Sequence, residues 1–213
     1  YYLKALAIDP ANSISLKKIK KVVTDLDAHG KTNEANTVLQ QAMKIAPKHA
    51  AFNDMFQAIK QIQDTKAEIF TLLLKIKHIQ TLSEKVEPYN ILFSKLKSAT
   101  NRFGAKKTTD LKNDVSVQIK SDITTQTNSR QPIPPEFMSL VKNDFPELNN
   151  YVINAQYDIL ITNGDKSASK QEKADYYLKA LKLDRNRQEA KNSIELLAKN
   201  LDKNGNNNEA VGV

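Results

Sequence analysis

The chain has 213 residues, of which 40% are hydrophobic and 26% charged, enough to build a proper core in one or two domains. Its 32 Lys and Arg against 24 Asp and Glu leave a formal charge of +8, a mild excess that could attract anionic partners but is not by itself a nucleic-acid footprint. Cysteine is absent, which excludes a disulfide framework, a thiolate metal site and a cysteine nucleophile; a cysteine-free chain suits the cytoplasm, slightly favoured, or a bacterial envelope compartment.

Only five glycines and seven prolines interrupt long stretches of Leu, Lys, Ala, Glu and Gln, residues that lose little rotamer freedom in a helix. In residues 13–28, Leu16, Ile19, Val23 and Leu26 recur at three- and four-residue steps and predict one amphipathic helix. Asn12 or Ser13, just after Pro10, is placed to cap it, and Gly30 to end it in a left-handed turn. A second helix is expected from about Asn33 to Ile45, with Ala35, Leu39 and Ala42 inward and Pro47 as its stop. Residues 49–63, 66–81 and 87–99 carry three further helical stripes, and the most apolar run, Ile69 to Leu74, is far too short to span a bilayer.

From Thr100 to Pro135 the composition turns to Lys, Thr, Asp, Asn, Ser and Gln, which predicts a flexible polar loop or linker between helical segments at 1–99 and 136–213. The alternation Val115-Ser116-Val117-Gln118-Ile119 permits a short strand within it. Helices resume at Pro135 or Glu136 and again over 148–162, with a turn at Asn163-Gly164-Asp165. Ser169 and Glu172 have capping-box spacing before a helix ending near Leu183, and Asp202 to Asn206 reads as a hairpin turn.

The two ends of the chain repeat one another. Tyr1-Tyr2-Leu3-Lys4-Ala5-Leu6 recurs as Tyr176-Tyr177-Leu178-Lys179-Ala180-Leu181, an offset of 175 residues. The same offset, with no gap, pairs Asp9 with Asp184, Ile19 with Ile194, Leu26-Asp27 with Leu201-Asp202, Gly30 with Gly205 and Asn33-Glu34-Ala35 with Asn208-Glu209-Ala210. The four tyrosines fall at packing positions and are expected in the core.

These residues resemble the tetratricopeptide (TPR) repeat. Ala35, Leu39, Ala42 and Pro47 fit the close of a repeat, with Leu in the aromatic place; Tyr2, Ala5 and Pro10 fit the close of the one before; Tyr177, Ala180 and Asp184 fit again, with Arg185 where the proline would stand. Tyr2 to Leu39, Ala5 to Ala42 and Pro10 to Pro47 are each 37 residues apart, against the usual ~34. The resemblance covers about 1–47 and 150–210. It implies an all-α fold in which antiparallel helix hairpins stack as a right-handed solenoid. Tyr1 would begin inside the second helix of a repeat and Glu209-Ala210-Val211 would barely open another, so the sequence reads as an excerpt of a longer array.

No constellation of nucleophile, base and oxyanion donor, phosphate loop or calcium loop is found, and His29, His49 and His78 do not pair at metal-binding spacing. The expectation is therefore a protein that is not an enzyme and holds no cofactor or metal. In the TPR family the first helix of each repeat lines a groove that holds a partner peptide, which implies peptide-binding roles for Lys17, Lys20 and Lys21 toward an acidic segment or a C-terminal carboxylate. Their counterparts in the second copy, for instance Asn192 and Leu196, do not repeat the basic pattern. Two other functions stand behind this scaffold: a helical accessory or regulatory domain of a larger enzyme, and, third, a basic nucleic-acid-binding module.

Overall fold

The computed structural model describes residues 1–203 and is all-helical, with ten α-helices, one 3-10 turn and no strand among the described residues. The chain divides into two compact units: Tyr1–Ile76 with Ile91–Asp114, and Lys77–Asn90 with the chain from Val115 onward.

The first unit opens with α1 (Tyr2–Ile8), α2 (Ser13–Ala28) and α3 (Thr32–Ile45), each packed on the other two. Asn12 caps α2 by accepting a hydrogen bond from the Ser15 amide at 2.9 Å. At its other end Gly30 takes φ +77°, so that the Lys31 amide reaches back to the Leu26 carbonyl at 2.9 Å. No atom crowds a Cβ at Gly30, so it is the backbone angle that calls for glycine there. Leu6, Ile19, Val23, Ala35, Leu39 and Ala42 are all buried in one cluster, which Phe52 and Ile59 extend. The last two belong to α4 (Ala50–His78), a single 29-residue helix where the sequence suggested two. Gln63-Asp64-Thr65, the expected break, contains neither glycine nor proline, and the buried stripe Ile59, Ile62, Ile69, Leu73, Ile76 runs straight through it.

Two long helices, α5 (Leu82–Phe103) and α6 (Ala105–Ser129), contribute residues to both units. The expected linker over 100–135 is therefore corrected, and so is the short strand at 115–119. Most of that segment is a 25-residue helix, because Leu111, Val115, Ile119 and Ile123 recur every fourth residue and are all buried, whereas Val117 of the apparent β alternation is 68% exposed. Gly104, at φ +88°, separates α5 from α6. α6 closes at Arg130, at φ +56°, with the Gln131 amide bonded to the Gln126 carbonyl.

In the second unit follow α7 (Pro135–Asp144), the 3-10 turn Pro146–Leu148, α8 (Asn149–Lys166), α9 (Lys170–Leu183) and α10 (Gln188–Lys203). Tyr157 and Leu160 of α8 are buried against Ala180 of α9 and Ala190 of α10, and the Tyr157 hydroxyl accepts the Ala190 amide at 3.1 Å. Ser169 caps α9 by accepting from the Glu172 amide at 3.3 Å, while the Glu172 carboxylate takes up the Ser167 hydroxyl. The turn expected at Asn163-Gly164-Asp165 is instead the last stretch of α8. Asp202 and Lys203 lie within α10; the remainder of the expected turn to Asn206, and the echoes at Gly205 and 208–210, lie outside the described residues.

The internal echo has a structural counterpart. Shifted by 175 residues, the start of α2 at Ser13 coincides with that of α10 at Gln188, and α1 and α9 end at the equivalent positions Ile8 and Leu183. The residues that follow, Asp9 and Asp184, share extended backbone (φ −134°, ψ 99° and φ −145°, ψ 102°). Each carboxylate accepts the amide two residues on, Ala11 and Asn186, at 3.0 Å in both. The tyrosines do not share one fate: Tyr177 is buried and Tyr176 half-buried, but Tyr1 and Tyr2, expected in the core, are exposed. Tyr177 packs against Gly164 of α8.

Candidate functional site

Three- and four-residue periodicity sets the chemistry of α2. Ser15, Ile19 and Val23 fill the inward side, so Lys17 and Lys21 stand about 160° round the helix from Ile19, at roughly 100° per residue. Both are exposed, one turn apart, with Lys18 beside them; Lys20 lies toward the flank and is half-buried. None of Lys17, Lys20 and Lys21 is ion-paired among the described residues. Other lysines of the same unit are: Lys107 pairs with Asp27, Lys95 with Glu68 at 2.7 Å and Lys31 with Glu34 at 3.6 Å. Ile14, 67% exposed, adds apolar surface to this face, and Val22, 40% exposed, lies toward the flank. At the C-terminal end of α2, Val22, Asp25, Leu26, His29 and Lys31 line an open hollow of about 390 Å³. The His29 ring sits over the helix end, its Nδ1 donating to the Asp25 carbonyl at 2.6 Å. The structure thus brings Lys17 and Lys21 together on an open face and sets Lys20 aside. In the second copy, Asn192 and Leu196 are likewise exposed, without charge.

Another polar group in the second unit escaped the sequence reading. Lys85 of α5 donates from Nζ to Oδ1 of Asp122 of α6 at 2.6 Å, and both residues are only 7% exposed. The Tyr89 hydroxyl donates to the other carboxylate oxygen at 2.6 Å, and Gln118 Nε2 donates to Oδ1 at 3.0 Å. Burial, then the charge and hydrogen bond of Asp122, push the Tyr89 phenol far above its ordinary value, so it stays a donor. The ring of Tyr89 meets Phe137 of α7 edge-on at 5.3 Å. A signal for this cluster was present: Lys85 interrupts the stripe Leu82, Tyr89, Leu92, Leu96, and Asp122 adjoins Ile119 and Ile123. A charge on the inward side of each of two neighbouring helices calls for a partner, since an unpaired buried charge is costly.

Among the described residues no three His, Asp or Glu side chains gather as a metal cluster, and no helix is long and apolar enough to cross a membrane. The histidines stand apart, His49 resting on Phe52 at 4.5 Å between ring centroids. No family model, curated protein or solved structure matches the chain.

Proposed function

We propose that the chain is a TPR-like interaction scaffold without catalytic activity, its hairpins stacked as a right-handed solenoid, that binds an acidic segment of a partner protein along the outward face of α2. The observation that carries this reading is the echo of α1–α2 in α9–α10, in which the first helix ends and the second begins at equivalent positions, with a common extended link and a common aspartate turn. Such repetition of a two-helix unit is how helical-repeat proteins build extended binding surfaces. The acidic character of the partner follows from Lys17 and Lys21, exposed cations one turn apart with no carboxylate partner among the described residues, with exposed Ile14 beside them. A segment alternating Glu with Leu would meet both the charge and the apolar margin.

The test is fluorescence anisotropy with a labelled peptide of alternating Glu and Leu carrying a free C-terminal carboxylate. Exposed ion pairs contribute roughly 0.2–1 kcal/mol each. Reversing both cations in Lys17→Glu/Lys21→Glu turns two attractions into repulsions, so affinity should fall by at least about four-fold. It should also weaken as salt rises. Unchanged affinity in the double variant sinks the proposal.

A further inference from the structure

The second unit holds a cleft of about 290 Å³ beside the Lys85–Asp122 pair. Its walls come from the end of α4, the turn after it, the start of α5 and the second half of α6, with Lys77, Gln80, Lys85, Gln118, Ser121 and Thr125 among the lining side chains. Lys77 and Lys85 stand there against a single carboxylate, that of Asp122, so the lining carries a net positive charge. Amides and hydroxyls make up most of the remainder.

The hydrogen-bond arithmetic is uneven within the pair. Asp122 accepts from Lys85, Tyr89 and Gln118, which engages both of its oxygens. An ammonium has three donors; that of Lys85 gives one to Asp122, and Lys85 itself lines the cleft. A nearly buried cation with donors to spare is satisfied best by oxygen acceptors reaching it from the cleft, since charged donors make the stronger hydrogen bonds. Lys77, exposed at the cleft's edge, adds a second positive charge. The volume is at the small end of ligand sites, which run from roughly 300 Å³ upward.

We infer that this cleft binds a small oxyanion of the phosphate type, held by Lys85 from within and Lys77 at the mouth. It is a site separate from the α2 face and independent of the scaffold reading. Phosphate suits it because several oxygens can take N–H and O–H donors converging from two helices and a turn, with Lys acting as a point charge.

The test is an NMR titration of the ¹⁵N-labelled chain with inorganic phosphate, at ionic strength held constant with chloride. Saturable shifts are expected at residues 77–85 and 118–126, with half-saturation in the low millimolar range or below. Lys77→Glu, and separately Ser121→Glu, each place a carboxylate at an exposed position of the lining and should weaken binding at least five-fold. Lys17→Glu/Lys21→Glu should leave it unchanged. Absence of saturation overturns the inference, as does phosphate binding that survives both cleft variants or falls equally in the α2 variant.

Discussion

At Gly164 two rules of helix stability oppose each other. Within a helix, glycine ordinarily costs about 1 kcal/mol relative to alanine, so Gly164→Ala would be expected to stabilise α8. A Cβ built there, however, would lie 2.6 Å from the Tyr177 ring, closer than any real contact. Tyr177 is buried and its hydroxyl is fixed to Asp165 at 2.8 Å, so the ring has little room to retreat. Overpacking of this kind costs about 1–3 kcal/mol, enough to reverse the propensity gain. Gly164→Ala should therefore lower stability, and Gly164→Val should lower it further, in urea unfolding followed by circular dichroism; a stabilised Ala variant would show the ring to be free to move. The same contact gives Tyr177 a pH signature. Burial first, and then the Asp165 hydrogen bond and charge, push its phenol up to about 12 from the ordinary 10. The folded state thus favours the neutral phenol. Its contribution is complete below about pH 10 and disappears as pH rises through about 12. Between pH 8 and 11 the wild-type urea midpoint should fall more than that of Tyr177→Phe, and equal falls would contradict the assignment.

At the scale of the element, helix type was legible wherever apolar residues recurred at three- and four-residue steps and turn chemistry was strong. Asn12, Gly30 and Ser169 act as the sequence implied. α6 has composition and period pointing in opposite directions, and the period prevails. Its many Lys, Thr, Asp and Ser resemble a linker, but one apolar residue in four, Leu111, Val115, Ile119 and Ile123, suffices to line a buried stripe. Polar residues on the other faces cost little, for they are solvated there. Thr109, Thr124, Thr125 and Thr127 turn their hydroxyls back to carbonyls four residues earlier, consistent with helix over the whole run. Gly164 misled in the opposite sense: a glycine beside Asn and Asp reads as a turn, and only the partner helix reveals that its value is the missing side chain. In the candidate sites, the exposure of Lys17 and Lys21 was legible because amphipathicity alone determines it. The Lys85–Asp122 pairing was not, since it joins residues 37 apart and depends on how α5 lies against α6.

For the molecule as a whole, the echo makes one copy a source of predictions for the other. Pro10 and Arg185 occupy the same place, directly after an aspartate that ends a helix in extended backbone. Extended backbone is what the residue before a proline prefers, and Asp184, at φ −145° and ψ 102°, already adopts it. The amide bond that fixes the turn is made by the next residue, Asn186, and so does not need an N–H at 185. Proline at a position whose native conformation it can adopt stabilises by about 0.4–1 kcal/mol, chiefly by restricting the unfolded chain. Arg185→Pro should therefore raise the stability of the second copy by about that amount, a gain of roughly 1–4 °C in Tm for a protein of this size. The reverse exchange, Pro10→Arg, should lower stability by a similar amount. If Arg185→Pro destabilises instead, the two links differ in backbone despite their common hydrogen bond, and the copies are equivalent in their helices but not in the turn that joins them.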